Sequence, residues 1–519
     1  MLDLERTTAV RLGGVAIAAG SGIAIAVAPI PAAAGIAAVL GGLWLTSRGA
    51  RVVDVFLAAL AGILTGYAFF NRAFAYIGVP PLFVGEVVLV VGLLAFVYSI
   101  GRWRLTPVMA LLPLFVGWGA VQTVPYIGRY GVDALRDAVA WIYAAFAIIL
   151  ATVVRAEHLA VMIRLVRRAI PYLLVWLPAS LLGSIALGAS VPTIPGTTVP
   201  LLFAKGGDAG VILAGVAAFI LVGLYGRVER RPRLPEPLPW LPWLGGAGVV
   251  SIVNRGGLVA MSMVVLVLLF VRQSSRWLAM FLIVAILLAL GMLIDPRIDL
   301  GGRREFSFRQ LTDNVTSIFV STGDSLEGTR SFRLRWWGEI VDYTINGPYF
   351  WTGKGYGIAL AAADGFDTTE AEELRSPHNG HIEILARSGV PGLVLWILLH
   401  ASFAVVLFRA AQRARADGRR TWLMVVGWLF VMWAAALANA TFDPYLQGPQ
   451  GGIWFWSVMG LGLAAARAVH EGAADPLPDP IEATAPAAPP PTARRRPSRA
   501  GRPARLPGSA ATAAEAADG

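Results

Sequence analysis

Two of the chain's five histidines lie three residues apart, in the segment 376–383 that precedes an apolar run. Serine followed by proline is typical of a helix start, because the serine side chain caps free backbone N–H groups and proline suits the first turn. We therefore predict that Ser376 caps a short helix and that His378 lies in its first turn, where the helix dipole disfavours imidazolium. A neutral histidine there can accept a proton. The simpler interpretation is that His378 only hydrogen-bonds a loop.

Arginines form the second candidate group. Arg255 stands between two apolar runs, and a charge so close to hydrocarbon is costly unless it is paired or functional. The segment 328–337 adds Arg330, Arg333 and Arg335 beside two tryptophans. Guanidinium groups make bidentate bonds to phosphate oxygens, so these residues could bind a diphosphate. The alternative is an interfacial belt, in which the tryptophans and arginines face lipid headgroups.

Three further charged residues are secondary candidates. Glu86 lies just inside an apolar run and could pair with an arginine or contact substrate. Arg136 could serve a site, but we favour a helix-end ion pair with Asp137. Lys205, one of two lysines, lies in a glycine-rich loop and could simply be solvated. The glycine-rich segment 353–357 lacks the spacing of a phosphate-binding loop and is predicted to be a tight turn.

The elements that must position these residues are membrane helices. Hydrophobic residues make up 56% of the 519-residue chain and charged residues 14%, whereas a soluble protein carries roughly 25% charged residues. A helix of about 20 mostly apolar residues spans the bilayer core and satisfies its own backbone groups. We predict an all-α polytopic membrane protein of about 12–14 transmembrane helices. The apolar runs lie near residues 12–28, 31–47, 52–69, 84–100, 107–124, 138–154, 169–188, 209–226, 239–254, 256–271, 277–294, 390–408, 421–438 and 451–467.

Arginines gather in every second connection between these runs. The positive-inside rule puts those connections and both termini in the cytoplasm, and the candidate residues on the opposite side. The predicted organisation is transmembrane helices 1–11 in residues 1–294, an extracytoplasmic helical loop in 295–389, helices 12–14 in 390–472 and a disordered cytoplasmic tail in 473–519. No cleavable signal peptide is expected, because the first apolar run is followed by others.

The net charge of +11 arises largely in the membrane-flanking loops and the tail. We therefore expect contact with anionic membrane lipids and no nucleic-acid partner. The chain has no cysteine, which excludes disulfides, zinc–thiolate sites and cysteine nucleophiles.

Several stretches, in order, resemble the O-antigen ligase/polymerase superfamily of membrane glycosyltransferases. They are residues 254–257, Arg333-Leu334 with Trp337, the turn 353–357, and residues 378–383 followed by 389–392. The family commonly has a serine before the arginine that follows a span, and Asn254 takes that place here. The upstream stretch 80–86 is similar to the family as well.

The resemblance implies a GT-C-like fold and transfer of a glycan from a polyprenyl diphosphate, such as undecaprenyl diphosphate, to an acceptor hydroxyl. The reaction would belong to polysaccharide biosynthesis in the cell envelope, at the outer face of the bacterial cytoplasmic (inner) membrane. By likeness, His378 is the general base and Arg255 and Arg333 bind the diphosphate. Further candidates near these motifs are Arg330, Arg335 and Asn379.

Simple chemistry agrees with these roles. A diphosphate leaves readily once its charge is neutralised, whereas the acceptor hydroxyl needs a base. Direct attack opposite the diphosphate would invert the anomeric centre. We expect no metal and no cofactor, because the first external loop, residues 28–32, has no clustered carboxylates.

The acceptor stays open at this point: a lipid core for a ligase, a second lipid-linked repeat for a polymerase, or a protein side chain. A rival of another class is a transporter or flippase for the same lipid-linked glycans. A transporter should place ionisable residues near the bilayer midplane, on broken or repeated helices. Here the notable charges lie at the outer boundary and in one large loop, which favours the enzyme.

Overall fold

The computed structural model describes residues 52–79, 82–194, 197–227, 239–270, 298–299, 305–306, 325–366 and 375–477. The chain divides into two units, Met1–Leu477 and Pro478–Gly519, and the second lies outside the described residues. The predicted domain boundaries and the predicted nature of the tail stay predictions.

The described part of the chain is built almost entirely of helices. In chain order they are α1 (Val52–Ala75), α2 (Val84–Ser99), α3 (Pro107–Tyr130), α4 (Val132–Ile142), α5 (Ala144–Val153), α6 (Ala156–Leu187), α7 (Gly206–Leu221), α8 (Leu224–Arg227), α9 (Trp240–Val253), α10 (Arg255–Ser262), α11 (Ser325–Val341), α12 (Leu360–Asp364), α13 (Gly380–Ala416), α14 (Arg420–Ala440) and α15 (Pro449–His470). Strands β1 (Gly78–Val79) and β2 (Leu82–Phe83) form one antiparallel pair, and β3 (Ile298–Asp299) and β4 (Glu305–Phe306) form another. These two-residue strands only close local turns.

The helices agree with the predicted spans wherever the two can be compared. Seven are long and apolar enough to cross a membrane, namely α1, α2, α3, α6, α13, α14 and α15. The pair α4–α5 makes one further span bent by 41°, and three shorter apolar helices are α7, α9 and Arg255–Leu269, which continues α10. Predicted spans 12–28, 31–47 and 277–294 lie outside the described residues. The chain is thus an all-α polytopic membrane protein.

Helix α13 is broken near its start, where the glycines and proline of residues 389–392 lie. Gly389 has φ +67° and ψ −171°, so the helix stops there and resumes with a changed direction. The Val390 N–H donates to the carbonyl of Phe350 at 2.8 Å. A Cβ on residue 389 would lie 2.5 Å from that same oxygen. Only glycine therefore allows the segment around residue 350 to enter the break.

A second, smaller core joins helices α11 and α12 to the first turns of α13. Trp336 and Ile340 of α11 pack there with Leu360 of α12 and Leu385 of α13, and all four are buried. The Trp336 ring stacks on Phe366 with centroids 5.7 Å apart. Burying side chains of this size contributes about 1.5–3 kcal/mol each where water is the alternative. This core fixes α11, which carries Arg333, against the helix that begins beside His378.

Candidate active site

His378 lies just before α13 rather than inside its first turn. Asn379 is the N-cap, and its side-chain oxygen accepts from the N–H groups of His381 at 2.9 Å and Ile382 at 3.2 Å. The predicted Ser376 cap is therefore wrong. The Ser376 hydroxyl is occupied elsewhere, since it donates to the Glu383 carboxylate at 3.1 Å. His378 instead has a left-handed backbone with φ +55°.

The two histidines of this motif differ in their surroundings. His381 accepts a hydrogen bond at Nδ1 from the Trp396 indole N–H at 3.0 Å. The imidazole also bonds the backbone of Leu437. These bonds hold the His381 ring as part of the helix packing. His378 is half-buried and faces charged residues instead, so it is the histidine that could do chemistry.

Three cations from separate parts of the sequence lie at this site, and we call them the cationic cluster: Lys205, Arg255 and Arg333. Lys205 and Arg333 act electrostatically on His378, and Arg255 acts on Arg333. Lys205 precedes α7 and lies 3.1 Å from the carboxylate of Asp443. Arg333 of α11 donates to the carbonyl of Phe442 at 3.2 Å. Asp443 also acts electrostatically on Arg333 and His378. The connection between α14 and α15 therefore joins these cations around the histidine.

The electrostatics of this site keep His378 neutral. The pKa of its imidazole is lowered from 6.5 to about 4: burial is the largest cause, Arg333 and Lys205 also lower it, and Asp443 opposes them. Burial also lowers the pKa of Arg333; Asp443 raises it and Arg255 lowers it. A neutral imidazole beside guanidinium groups can accept a proton while an anion is bound next to it.

Arg255 is held by a capped helix start. Asn254 is the N-cap of α10, and its side-chain oxygen accepts from the Gly257 N–H at 2.7 Å. Asparagine and serine are both good N-caps, so Asn254 does here what serine does at such a position. The start of α10 also touches the start of α7, because a Cβ at Gly257 would lie 2.5 Å from the carbonyl of Gly206. This close approach brings Arg255 near Lys205.

Several residues of the site were not predicted from the sequence. Asp443 is one, and Asn71 and Asp208 are others. The Asn71 amide donates to the Asp208 carboxylate at 2.8 Å, and Asp208 interacts electrostatically with Lys205 and Asp443. Asn71 breaks α1 with φ +49°; it and His378 are the non-glycine residues with left-handed φ in the described chain. Such strain is concentrated at functional sites in proteins. Asp443 could have been singled out from the sequence, because it is a charged residue that follows closely after the apolar run 421–438.

An apolar groove opens beside this cluster, between α1, α6 and α7. Its lining includes Phe69, Phe70, Leu177, Phe203 and Lys205. The groove thus joins an apolar surface to a charged group.

The remaining predicted site residues lie in other places. The Glu86 carboxylate accepts from the Phe83 N–H at 3.0 Å and from the Tyr143 hydroxyl, which makes it a helix cap. Arg136 is exposed and lies 3.9 Å from Asp133, not paired with Asp137. Arg335 is on the exposed side of α11, two positions from Arg333 and hence on another helix face. Arg330 belongs to α11, but its side chain lies outside the described residues.

Four charged residues form a second assembly, which we call the ion network: the buried Asp137, Glu383 and Arg387, and the partly buried Arg375. Arg387 lies 3.0 Å from Asp137 and 2.8 Å from Glu383. Arg375 lies 3.1 Å from Asp137. The Asp137 carboxylate also accepts from the Gly357 N–H at 3.0 Å. The network therefore ties helix α4 and the turn 353–357 to the segment that carries His378.

The turn 353–357 is a tight turn, as predicted. Its three glycines have φ of +61°, +80° and +99°, and a Cβ at Gly353 would lie 2.6 Å from the carbonyl of Ala386. The Lys354 ammonium pairs with the Asp364 carboxylate and lies 4.2 Å from the centre of the Tyr343 ring. The lysine of this turn is thus used in packing the small core.

The chain was compared with known protein families. Residues 240–397 match the family model described as O-antigen ligase. The match covers Arg255, Arg333 and His378. No curated protein matches the chain.

The helices define a multi-pass membrane protein. The O-antigen ligase match at residues 240–397 supports the O-antigen ligase superfamily, as the motifs predicted, and indicates a glycosyltransferase-type enzyme. The general role that follows is glycosyl transfer in polysaccharide biosynthesis.

Proposed function

We propose that this protein transfers a glycan from a polyprenyl diphosphate to an acceptor hydroxyl at the outer face of the bacterial cytoplasmic membrane. One observation carries the proposal: a half-buried histidine, whose pKa is lowered to about 4, lies among Arg333, Lys205 and Asp443. This pairing of a neutral base with cations fits a reaction in which a hydroxyl attacks and an anion leaves.

His378 acts as the general base in this scheme. Its imidazole accepts the proton of the acceptor hydroxyl as the oxygen forms a bond to the anomeric carbon. The bond from that carbon to the diphosphate oxygen breaks, and the electron pair leaves with the diphosphate. Because the nucleophile enters opposite the leaving group, the anomeric configuration inverts. Base assistance of this kind contributes typically about 10²–10⁴-fold in rate.

The cationic cluster binds the diphosphate. Arg255 and Arg333 provide guanidinium groups, which match phosphate oxygens in geometry and stay charged. Lys205 adds a third cation, whose ammonium group lies 3.1 Å from the Asp443 carboxylate. The developing negative charge on the leaving diphosphate is stabilised by charges that are in place before the reaction, so no metal ion is required.

The apolar groove beside Lys205 suits the first isoprene units of the donor lipid. A polyprenyl diphosphate joins an apolar chain to an anionic head, and the groove is lined by phenylalanine and leucine side chains together with the Lys205 ammonium. Exposed apolar side chains of α6, such as Tyr172 and Val175, extend the lipid-facing surface there.

The arginine pattern of the loops supports the proposed orientation. Both termini lie in the cytoplasm, and the site with the segment 325–379 lies outside. A lipid core, a second lipid-linked repeat and a protein side chain are the three candidate acceptors, and each supplies the hydroxyl that the chemistry needs.

Reconstituted protein with a polyprenyl-diphosphate-linked glycan tests the proposal. Wild type should transfer the glycan with or without chelator, and His378→Ala and Arg333→Ala should each lose transfer. Offering the three acceptors in turn identifies the one used. Donor lipid that crosses the bilayer without being consumed would contradict the proposal and support a transporter, and loss of activity on chelation would contradict the metal-independent mechanism.

A further inference from the structure

The Ser376 hydroxyl is a junction of three hydrogen bonds beside the candidate base. It donates to the Glu383 carboxylate at 3.1 Å. It accepts from the Gln447 side-chain amide at 2.7 Å and from the backbone N–H of His378 at 3.3 Å. A hydroxyl has one proton to donate and two lone pairs, so all three are used. Ser376 is itself 7% exposed, which limits competition from water.

Glu383, the acceptor of the Ser376 proton, is rigidly held. Its other carboxylate oxygen is 2.8 Å from Nε of Arg387. Arg387 is 1% exposed and also bonds Asp137 and the carbonyl of Arg375, the latter at 2.9 Å. Ser376 therefore connects His378 to the ion network through one short path.

His378 needs such a restraint because its backbone conformation is unfavourable. A left-handed φ costs an L-residue roughly 1–2 kcal/mol, and a free segment would relax away from it. The flanking residues are also tied, since Trp337 donates to the carbonyl of Pro377 at 2.8 Å and Asn379 caps α13. The bond from His378's own N–H to Ser376 acts at the strained residue itself.

We propose that Ser376 is the positioning residue for His378: its hydroxyl, anchored on Glu383, holds the left-handed backbone from which the imidazole faces the cationic cluster. This inference rests on the proposed role of His378 as base. Ser376 acts through His378 and does not contact the substrate. Its effect is on the geometry of proton transfer, and a misplacement of about 1 Å can cost about 100-fold in rate.

A matched pair of serine substitutions tests the inference. Ser376→Ala removes the junction, whereas Ser388→Ala removes another buried hydroxyl, which bonds only the Tyr356 hydroxyl at 2.7 Å among the side chains of the described chain. Each leaves buried polar groups without a partner, and Ser376→Ala, which removes three hydrogen bonds, should cost more thermal stability than Ser388→Ala, which removes one. We expect Ser376→Ala to lower kcat about 10- to 100-fold with KM for the donor lipid changed less than about 3-fold. Ser388→Ala should keep kcat within about 3-fold of wild type.

Gln447→Ala provides a second variant, which removes one donor to the hydroxyl but keeps the path from His378 to Glu383. It should lower kcat by less than Ser376→Ala.

Equal losses of kcat in Ser376→Ala and Ser388→Ala would trace the loss to stability and overturn the inference. A raised KM with unchanged kcat in Ser376→Ala would also overturn it, because it would indicate substrate binding. Full activity in His378→Ala would overturn the proposed base itself, whereas wild-type kcat in Ser376→Ala beside an inactive His378→Ala would overturn only the positioning role.

Discussion

The two charged regions beside His378 differ in how their charges are balanced. The ion network has two arginines and two carboxylates, its charges cancel, and short distances join each arginine to a carboxylate. The cationic cluster has Lys205, Arg255 and Arg333, with Asp208 and Asp443 nearby. These five groups leave an excess of one positive charge when all are ionised. A balanced buried network supports structure, whereas a cationic excess at a groove suits an anionic ligand.

The burial of the two regions differs in the same sense. Arg387 is 1% exposed, so removing its guanidinium leaves the carboxylates of Asp137 and Glu383 buried without this partner. Lys205, Arg255 and Arg333 are only partly buried and are open to a ligand that arrives from the groove or the membrane surface. We therefore expect the two regions to have separate roles, and substitutions should separate them.

The largest expected effect on stability comes from the ion network. Arg387→Met leaves Glu383 and Asp137 buried without this guanidinium, which typically costs about 3–5 kcal/mol in free energy of unfolding. Arg333→Met, the matched change in the cationic cluster, should reduce transfer to a small residual rate with little change in stability. Thermal unfolding in detergent, with transfer assays on both variants, checks this. Equal destabilisation by the two substitutions would mean that the regions do not have separate roles.

Much of the fold could be predicted because one property decides it. Long apolar runs must be helices in lipid, and the described helices coincide with them. The break at Gly389 was also predictable, since a glycine followed closely by proline interrupts a helix. Arg255, Arg333 and His378 were predicted as site residues from residue type, motif and resemblance, and the structure brings Arg333 close enough to act electrostatically on both Arg255 and His378.

The rest of the site depends on tertiary contacts that local patterns do not carry. Asp137 and Arg375 are 238 residues apart in sequence, yet their side chains bond in the fold. The wrong helix start has a similar cause: Ser376 and Asn379 are both good caps, and the contact of Ser376 with Glu383 and Gln447 decides between them. Local spacing could not show where Gln447 would lie.

A moderate effect is expected on the pH profile of transfer. Wild type requires neutral His378, so kcat/KM should rise as pH increases through about 4 and then level off. Arg333→Met removes a cation that disfavours imidazolium, so the pKa of His378 should rise toward 6.5. The acid limb of the residual activity should therefore lie at a higher pH than in wild type.

Asp443→Asn is the opposite control for that profile. Asp443 raises the pKa of His378, while Arg333 and Lys205 lower it, so its removal should move the acid limb to lower pH. Measuring kcat/KM from acid to neutral pH for the three proteins checks the signs. Shifts in the same direction for both variants would show that the limb reports another group than His378.

The smallest expected effect separates the strained histidine from its neighbour on the helix. A left-handed residue 378 penalises alanine by about 1–2 kcal/mol but not glycine, whose extra chain entropy costs about 0.5–1 kcal/mol. His378→Gly should therefore be more stable than His378→Ala by up to about 1 kcal/mol, and both should be inactive. His381 lies in helix α13, where glycine is less favourable than alanine by about 1 kcal/mol, so His381→Gly should be the less stable of its pair.

Thermal unfolding of the four variants checks this, because at each position it compares two proteins that lack the same imidazole. If glycine is the less stable choice at both positions, the left-handed backbone of His378 is not present in the folded protein, and the argument that Ser376 restrains it fails as well.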